Sequence, residues 1–428
     1  MTKHDTSDLL TELRWRGLAE DQTPGLAERL ARGPITGYVG FDPTAPSLQI
    51  GNLVPIMLLV HLQRAGGKPI VVLGGGTGLI GDPSGKRAER PLLDRGEVED
   101  NVERQRKQFE LFLDFEARDT GAELVDNVEW LGSLNLVEFL RDIGKHFTLS
   151  YMLQKESVKS RLEEGISYTE FSYMLLQAYD FLQLYRTRGC ELQLGGSDQW
   201  GNITAGRELV RRVDGAEVHG VSAPLITTAS GEKFGKSDGL TAWLDPEMTS
   251  PYWLYQFWVN TDDRDVDSYL KMFTLKSRDE IADLVERHAH DPGARIPHKA
   301  LALDVTDRVH GSSVAASASR AAGVLFGDLD PHEAGPEVWA TLAKNIDISE
   351  EHAVSRGDLP MDAFNLVWSQ GFHTSKSELR RLFKQGGIRV NGERVEADTP
   401  VTDRHVLAGG YVWLRRGKKY DSLVKVTP

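Results

Sequence analysis

The first half of the chain alternates short apolar runs with longer helical patterns. In the run 69–78, Pro-Ile-Val-Val-Leu-Gly-Gly-Gly-Thr-Gly, four apolar residues are closed by glycines, which is typical of a strand buried on both faces of a parallel sheet. The preceding segment, 50–65, is apolar nearly all round and has helical length, with Pro55 in its first turn. Strand, helix and strand in this order predict a right-handed crossover and a doubly wound α/β sheet, whose ligands bind beyond the carboxyl ends of its strands.

Helical patterns replace the strand-like runs from about residue 249, and 277 to 290 is one such stretch. The polar, weakly periodic segment from about 345 to 360 indicates a linker. Beyond it, Ser375-Lys-Ser-Glu378 is a capping box that opens an amphipathic helix, and Asn391-Gly392 between two short alternating runs predicts a tight β-hairpin. A mostly helical segment and a small α+β domain therefore follow the α/β part.

Length and composition fix the class of protein. The chain has 428 residues and 40% hydrophobic content, enough for two or three domains with their own cores. No targeting peptide and no apolar run of membrane-spanning length is evident, so we expect a soluble cytoplasmic protein with no membrane partner. The single cysteine, Cys190, excludes an internal disulfide framework, and without a nearby Cys or His cluster it indicates core packing rather than a metal site.

The charge is unevenly distributed. Residues 373–428 carry 12 Lys/Arg against 6 Asp/Glu, a local excess of +6, which leaves −19 for the first 372 residues out of an overall −13. Here a helix with a basic face precedes a basic hairpin and the run Arg415-Arg-Gly-Lys-Lys419. This pattern favours recognition of folded RNA by backbone and shape, the alternative being a basic but merely solvated surface.

Three polar segments in the α/β part suit a nucleotide. Gln49-Ile-Gly-Asn52 opens the predicted helix, where unpaired amides attract phosphate, although simple capping by Asn52 is the alternative. The segment 231–239 packs two lysines, a hydroxyl and three glycines into nine residues, which suits a pyrophosphate leaving group. The segment 193–202 places a double glycine and polar residues after a short strand, which suits a ribose and a reacting carboxylate.

Three polar residues share one face of an otherwise apolar helical stretch. Tyr173, Gln177 and Asp180 stand at positions i, i+4 and i+7, so their side chains point the same way. Buried polar groups need partners, which these residues find either in one another or in a ligand. The helix is therefore a candidate wall of a polar pocket.

Taken together, these residues make the chain resemble the bacterial tyrosyl-tRNA synthetases, which are class I aminoacyl-tRNA synthetases, along essentially its whole length. The motifs that carry the resemblance are YVGFDPT at 38–44, GGTGLIGDPSGK at 75–86, FSYMLLQAYD at 171–180, QLGGSDQWGN at 193–202, KFGKS at 233–237 and the tail from about residue 360. It implies activation of L-tyrosine with ATP, with Mg²⁺ carried by the ATP phosphates, and transfer of the tyrosyl group to tRNA(Tyr) by a homodimer.

The resemblance also implies the domain order. We expect a Rossmann-like catalytic domain at 1–228 with a dimer-forming insertion near 125–160, a mobile lysine loop at 229–248, a helical anticodon-side domain at 249–344, a linker at 345–359 and, at 360–428, a small basic RNA-binding domain like that of a ribosomal small-subunit protein.

The resemblance also implies the site residues, which are the positions of this chain that match functional positions in the family's motifs. The tyrosine-binding set comprises Tyr38 and Asp180 for the phenol and Asp82, Tyr173 and Gln177 for the ammonium. The ATP-binding set comprises Gly40, Asp42, Gly51, Gly195, Gly196, Asp198 and Lys236. The set around the reacting carboxylate and polyphosphate comprises Gln49, Asn52, Thr44, Lys86, Arg90, Gln199, Lys233, Lys236 and Ser237. Arg211 and Arg212 are candidates for the tRNA acceptor stem, with solvated surface residues as the alternative.

The chain departs from the family at the helix start. The family's His-x-Gly-His stands here as Gln-Ile-Gly-Asn, so Gln49 and Asn52 can donate hydrogen bonds but cannot carry a full positive charge. We expect a working site; the alternative is a catalytically impaired relative that acts as an RNA-binding protein, marked by loss of Lys233, Lys236 or Asp180, all of which are present. A tryptophan-specific enzyme is disfavoured by the Tyr38 and Asp180 pair and by the basic tail.

Overall fold

A computed structural model describes residues 9–84, 93–159, 165–231, 234–237, 240–348, 353–371, 375–417 and 420–428. The chain divides into two compact units. The first unit comprises 1–248 and 261–297, and the second unit comprises 249–260 and 298–428. Within the described residues, no helix has both the length and the apolar character needed to cross a membrane.

The strands, in chain order, are β1 Asp21–Gln22, β2 Thr36–Phe41, β3 Lys68–Leu73, β4 Glu123–Asp126, β5 Cys190–Gly196, β6 His219–Ala223, β7 Lys236–Ser237, β8 Leu240–Thr241, β9 Asp347–Ile348, β10 Val354–Ser355, β11 Met361–Asp362, β12 Ile388–Val390, β13 Glu393–Arg394, β14 Pro400–Val401, β15 Tyr411–Arg416 and β16 Tyr420–Thr427.

The α-helices are α1 Leu9–Trp15, α2 Leu26–Leu30, α3 Leu53–Arg64, α4 Arg95–Phe109, α5 Val128–Leu131, α6 Leu136–Asp142, α7 Leu149–Leu153, α8 Glu156–Lys159, α9 Tyr168–Arg188, α10 Trp200–Asp214, α11 Pro251–Val259, α12 Val266–Phe273, α13 Arg278–His290, α14 Ile296–His310, α15 Ser312–Phe326, α16 Pro336–Ala343, α17 Ala363–Ser369 and α18 Lys376–Lys384.

A mixed sheet forms the centre of the first unit. Its order is β1-β6-β5-β2-β3-β4, with β1 antiparallel to β6 at one edge and every other neighbouring pair parallel. The connections run in one direction from β2 to β4 and in the other from β5 to β6, so the order reverses between β2 and β5. The predicted doubly wound α/β fold is confirmed, and the reversal marks where a ligand is expected.

The buried run and the helix before it were predicted correctly. The run corresponds to β3, whose residues are buried from Pro69 onwards. The helix corresponds to α3, preceded by a 3-10 turn at Ile50–Asn52, and it is buried on nearly every side from Leu53 to Leu62. A strand buried on both faces needs such a helix against it, because its backbone is paired and only apolar side chains remain to be covered.

The second unit combines helices with a smaller sheet. Helix α11 packs with α15, where the Tyr255 hydroxyl lies 3.1 Å from Ser319 Oγ. The sheet has the order β10-β16-β15-β12-β13, and β9 also pairs with β16. Its predicted hairpin is confirmed: β12 and β13 pair antiparallel around Asn391 and Gly392, whose φ angles of 51° and 85° are those of a type I′ turn. The α-helical and α+β parts of the predicted fold class are therefore also present.

The predicted start of α18 is confirmed as well. The Ser375 side chain accepts a hydrogen bond from the Glu378 amide at 3.2 Å, as an N-cap residue does. Leu379 and Phe383 are buried on one face, while Arg380 and Lys384 are exposed. The helix therefore contributes a basic surface to the second unit.

Candidate active site

The predicted site residues of the first unit gather at the carboxyl ends of the central strands. Tyr38 and Gly40 lie on β2 and Asp42 directly follows it, Gly195 and Gly196 end β5, and Asp198 and Gln199 occupy the next turn. Helix α9 supplies Tyr173, Gln177 and Asp180, all of which are buried. This edge of the sheet is where the strand order reverses, so the topology and the polar residues indicate one site.

Asp180 is a buried acid held by two donors. Its side chain is 3% exposed and accepts hydrogen bonds from Asn127 Nδ2 at 3.0 Å and from Trp130 Nε1 at 2.7 Å. Burial raises the pKa of the carboxyl to about 7; the two donors oppose that rise, and the acids Asp42 and Asp126 add to it. A hydrogen-bond donor from a ligand would stabilise the ionised form.

Tyr38 presents a buried hydroxyl beside this acid. The side chain is 1% exposed and its ring meets Phe181 edge to face at 5.3 Å. Burial, with the nearby charge of Asp180, raises the pKa of the phenol well above its ordinary value. Within the part of the chain that the structure describes, the Tyr38 hydroxyl has no hydrogen-bond partner. Such a group costs about 1 to 3 kcal/mol, which a ligand hydroxyl would recover.

A chain of hydrogen bonds runs from Asp180 to the far side of the pocket. Asn127 Nδ2 also donates to Thr77 Oγ1 at 3.0 Å, and Thr77 Oγ1 donates to Asp42 Oδ1 at 2.8 Å. The Tyr173 hydroxyl donates to Asp42 Oδ2 at 3.0 Å. Asp42, expected on the nucleotide side, therefore joins residues expected around tyrosine. Each hydrogen-bonded group constrains the next, so the wall is pre-organised.

The glycine run after β3 allows this network to form. The Gly75 amide donates to Asp126 Oδ1 at 3.0 Å and the Gly76 amide to Asn127 Oδ1 at 2.8 Å. A Cβ at Gly75 would collide with the Asp126 carboxylate. Asn127, Trp130 and Thr77 were not among the residues predicted from the sequence. The sequence feature that could have revealed them is the pair Asp126-Asn127 at the end of β4, because it lies at the same edge of the sheet as the glycines.

A second network links the candidates for the ammonium and the carboxylate. Gln199 Nε2 donates to Asp82 Oδ2 at 2.7 Å, and the Ser84 amide donates to Asp82 Oδ1 at 2.9 Å. Gln199 Oε1 accepts from Gln177 Nε2 at 3.3 Å and from Asn202 Nδ2 at 3.1 Å. Asp82, Gln177 and Gln199 are thus brought together, with Ser84 and Asn202 as contributors that sequence reasoning missed.

The start of the helix presents a different environment. Asn52 Oδ1 accepts a hydrogen bond from the Gln49 amide at 2.8 Å, so the capping role considered as the alternative is present. This bond uses the carbonyl oxygen of the side chain, and Nδ2 is the donor that Asn52 can offer to a phosphate. Gly40, Thr44, Gln49 and Gly51 are exposed. This edge of the site is therefore open to solvent.

The lysine loop lies against that helix start. The Ile50 amide donates to Ala242 O at 2.9 Å, and the Ala242 amide donates to Gly235 O at 3.1 Å. Phe234 is buried and stacks on Phe273 at 5.2 Å. Three expected phosphate ligands, Lys86, Arg90 and Lys233, lie outside the described residues. For Lys236 and Ser237 the structure describes the backbone, as strand β7.

The surface arginines of α10 have partners within their own helix. Arg211 Nη2 lies 2.8 Å and Arg212 Nε 2.5 Å from Glu208 Oε1, and the two arginines hold the pKa of that carboxyl down at about 2. Cys190 is fully buried, and burial raises the pKa of its thiol to about 12, which agrees with a packing role. Neither feature adds a group to the site.

Comparison with known proteins identifies the family. The family model described as tRNA synthetases class I (W and Y) matches residues 30–327. The chain belongs to this class I synthetase family. A second model, the tyrosine-tRNA ligase SYY-like C-terminal domain, matches residues 353–424. The resemblance drawn from the sequence motifs is therefore confirmed.

Individual synthetases agree over nearly the full length. The chain is 54% identical over 422 residues to the tyrosine-tRNA ligase of Anaeromyxobacter dehalogenans (strain 2CP-C), covering 98% of this chain and 99% of that one. It is 48% identical over 423 residues to the tyrosine-tRNA ligase of Geobacillus stearothermophilus, with coverage of 98% and 99%. Among solved structures, a C-terminally truncated mitochondrial tyrosyl-tRNA synthetase of Coccidioides posadasii aligns with a TM-score of 0.65 at 34% identity, covering 73% of this chain and 91% of that one.

Proposed function

We propose that this chain is a tyrosine-tRNA ligase. It activates L-tyrosine with ATP to give tyrosyl-adenylate and pyrophosphate, and then transfers the tyrosyl group to the 3′ end of tRNA(Tyr). The observation that carries the proposal is the buried Tyr38 hydroxyl beside the buried carboxylate of Asp180, at the point of the sheet where the strand order reverses.

Recognition of the phenol follows from those two groups. The substrate hydroxyl donates to the Asp180 carboxylate and accepts from the Tyr38 hydroxyl, so every buried polar atom there is paired. Phenylalanine would leave both buried groups without that partner, and unpaired buried groups are costly. Asn127 and Trp130 keep Asp180 in place through their hydrogen bonds.

The remaining polar groups orient the reacting end of tyrosine. Asp82, Tyr173 and Gln177 surround the ammonium, and Gln199 lies beside the carboxylate, as their shared hydrogen bonds support. The nucleotide rests against residues at the strand ends and the helix start, which are Gly40, Asp42, Gly51, Gly195, Gly196 and Asp198. No side chain acts as a nucleophile, because the tyrosine carboxylate itself attacks the α-phosphorus in line.

Groups of several kinds stabilise the negative charge on the leaving pyrophosphate. Gln49, Asn52 and Thr44 offer neutral donors, and Lys86, Arg90, Lys233, Lys236 and Ser237 complete the set. Mg²⁺ comes with ATP and is held mainly by phosphate oxygens and water, since this ion keeps much of its water shell. Helix-start amides add partial positive charge where the phosphates lie. The protein thus contributes position and electrostatic stabilisation.

The direct test is tyrosine-dependent exchange of labelled pyrophosphate into ATP. We expect exchange with tyrosine and far less with phenylalanine or tryptophan at the same concentration. Folded protein without exchange would contradict the ligase and favour the impaired relative that binds RNA. Faster exchange with tryptophan would contradict the assignment of the phenol pocket.

We further propose that the enzyme is a homodimer. The short helices α6 and α7 expose apolar side chains, among them Leu136 at 69%, Val137 at 72% and Leu149 at 68%. Large apolar side chains left exposed within one stretch of the chain favour an interaction surface, and these lie within the insertion near 125–160. Met152, in the same stretch, is instead buried in the core of its own unit.

Sedimentation of the wild type should give a dimer, and Val137→Asp should shift it towards monomer. A monomeric wild type would contradict this assignment.

The basic tail is the proposed tRNA-binding surface. Lys376 lies over the Trp368 ring at 5.4 Å and Arg380 over Phe364 at 5.3 Å, which places cations beside aromatic rings on the surface formed by α17 and α18. Lys418 and Lys419 of the basic run lie outside the described residues. Such groups bind phosphates and stacked bases.

Removing the residues after about 355 should leave adenylate formation intact and severely weaken tRNA charging. In the full chain, Arg380→Glu with Arg381→Glu should do the same without removing packed residues. Unchanged charging by both variants would contradict the assignment of the tail.

A further inference from the structure

Helix α4 presents a row of side-chain amides to the backbone of the segment 43–48. Asn101 Nδ2 donates to Pro43 O at 3.0 Å, and Gln105 Nε2 donates to Ala45 O at 2.8 Å. Gln108 Oε1 accepts from the Leu48 amide at 2.8 Å. The three amides stand at i, i+4 and i+7, on one face of the helix. We call Asn101, Gln105 and Gln108 the amide ladder.

The amide ladder satisfies backbone groups that no strand partner serves. The segment 43–48 runs between strand β2 and the 3-10 turn at Ile50–Asn52, outside any strand. Buried backbone groups need hydrogen-bond partners, and in an irregular segment side chains must supply them. Asn101 and Gln105 are themselves buried, so these bonds are made away from competing water. The segment is therefore fixed in place without regular secondary structure.

Ser47 connects the ladder to residues 244–245, near the end of the lysine loop. Its side chain is 2% exposed, and Oγ accepts from Gln108 Nε2 at 3.0 Å and from the Asp245 amide at 3.1 Å. The same hydroxyl donates to Leu48 O at 2.9 Å, which also accepts from the Leu244 amide at 2.9 Å. The segment 43–48 is thus held from α4 on one side and from residues 244–245 on the other.

We infer that the amide ladder and Ser47 are positioning residues for the polyphosphate end of the reaction. They hold Thr44, at one end of the segment, at a fixed place relative to Gln49 and Asn52 at the other. Through Asp245, Ser47 also ties these residues to the lysine loop. The inference rests on the proposed function, because it concerns where the phosphates of ATP are met. The amide ladder and Ser47 do not themselves touch the substrate; they act through Thr44, Gln49 and Asn52.

The expected effect falls on the chemical step. A misplacement of about 1 Å in an active site can cost on the order of 100-fold in rate. The phenol pocket is built by other elements, since Asp180 lies on α9 and is held by Asn127 and Trp130. Loosening the segment 43–48 should therefore lower kcat for adenylate formation and leave the KM for tyrosine nearly unchanged.

The experiment compares Gln108→Ala and Ser47→Ala with a matched control, Gln63→Ala. Gln63 lies at the opposite end of α3 from Asn52 and makes the same kind of bonds. Its Nε2 donates to Asp114 O at 2.7 Å and to Thr120 O at 2.8 Å, and its Oε1 accepts from the Asp114 amide at 3.0 Å. For each variant, the rate of adenylate formation is measured in a single turnover and expressed per titrated active site. The KM values for tyrosine and for ATP are measured as well.

We expect both Gln108→Ala and Ser47→Ala to lower kcat by about tenfold to 100-fold, with the KM for tyrosine within about twofold of the wild type. The double variant should lose little more than either single one, because both act through one hydrogen-bonded unit. Gln63→Ala should lower the thermal midpoint to a similar extent and keep kcat. Unchanged kcat in Gln108→Ala, or an equal loss in Gln63→Ala, would overturn the inference.

A readout that needs no activity separates this inference from the proposed function. Hydrogen exchange of the Leu48 amide should be slow in the wild type and clearly faster in Gln108→Ala, since Gln108 Oε1 accepts its hydrogen bond. A fast-exchanging Leu48 amide in the wild type would overturn the inference. If the Leu48 amide of the wild type exchanges its hydrogen slowly but the protein shows no tyrosine-dependent exchange of pyrophosphate into ATP, the proposed function is contradicted instead.

Discussion

The two ends of the proposed site are built in different ways. At the tyrosine end, Tyr38, Asp82, Tyr173 and Asp180 are all buried and, apart from the Tyr38 hydroxyl, each belongs to one of two hydrogen-bonded networks. At the nucleotide end, Gly40, Thr44, Gln49 and Gly51 are exposed, and they lie near the end of strand β2, in the segment that follows it and at a helix start. One end is a closed polar network and the other is an open edge.

The difference corresponds to two kinds of recognition. A buried network with a gap of defined shape discriminates strongly, because a wrong ligand leaves polar groups unpaired. A polyphosphate carries charge that can be met by several donors in turn, and an open edge lets loops close around it as charge develops. Replacement of the family's two histidines by Gln49 and Asn52 occurs at the open end, where several groups share the same task.

The largest effect is expected from Asp180→Asn. The amide would keep the volume of the side chain, but it would turn one of its own donors towards Asn127 or Trp130 and present no charged acceptor to the phenol. We expect kcat/KM for tyrosine to fall by at least about 100-fold, with little change in the KM for ATP. Pyrophosphate exchange measures both. Asp214→Asn, which removes a surface ion pair with Arg186, is the control and should behave as the wild type.

A smaller loss is expected at the open end from Asn52→Asp. The carboxylate can still accept from the Gln49 amide, so the cap survives, but the donor is gone and a negative charge faces the phosphates. We expect kcat to fall about 30-fold, corresponding to about 2 kcal/mol, with an unchanged KM for tyrosine. If capping were the only role of Asn52, this variant would keep wild-type kcat while Asn52→Ala lost stability.

The closed end should respond to pH. Because burial raises the pKa of the Asp180 carboxyl to about 7, the free site holds a proton at pH 6 that the phenol must displace before it can donate. Tyrosine affinity should therefore strengthen by up to about tenfold from pH 6 to pH 8. Equilibrium dialysis with labelled tyrosine measures the Kd. The same slope in Asp180→Asn would show that another group titrates.

The smallest effect is expected from Tyr38→Phe, which should keep or slightly raise stability but weaken tyrosine binding. The substitution removes a buried hydroxyl that has no partner among the described residues, so the thermal midpoint should rise slightly or stay the same. The phenol of the substrate loses one donor, and the Kd for tyrosine should weaken about threefold to fivefold. A lower midpoint together with unchanged affinity would contradict the assignment of Tyr38 to the phenol.

Much of the fold could be predicted from local sequence pattern. The apolar run of β3, the all-round apolar α3 and the Asn391-Gly392 turn each carry their own signal within a few residues. The polar face of α9 was also visible, because Tyr173, Gln177 and Asp180 interrupt an apolar helix at helical spacing. Patterns of this kind depend on backbone geometry alone.

The supporting residues could not be predicted in the same way. Asn127 and Trp130 reach Asp180 across 50 or more positions of sequence, so no local spacing reveals them. The amide ladder of α4 has the composition of a solvated helix, and its partners are backbone atoms about 60 positions away. Only the folded chain brings such groups together. The substitutions at Gln49 and Asn52 were visible in the sequence, but the use of Asn52 Oδ1 in a cap became evident from geometry.

A structure with tyrosinyl adenylate, an analogue of the adenylate that cannot react, would show directly whether the closed end binds the phenol and the open end the nucleotide. We expect the phenol oxygen within about 3.2 Å of both the Tyr38 hydroxyl and the Asp180 carboxylate, the ribose against Gly195 and Gly196, and the phosphate facing the amide of Gly51. A phenol bound away from Asp180, or a ribose remote from Gly195, would contradict it.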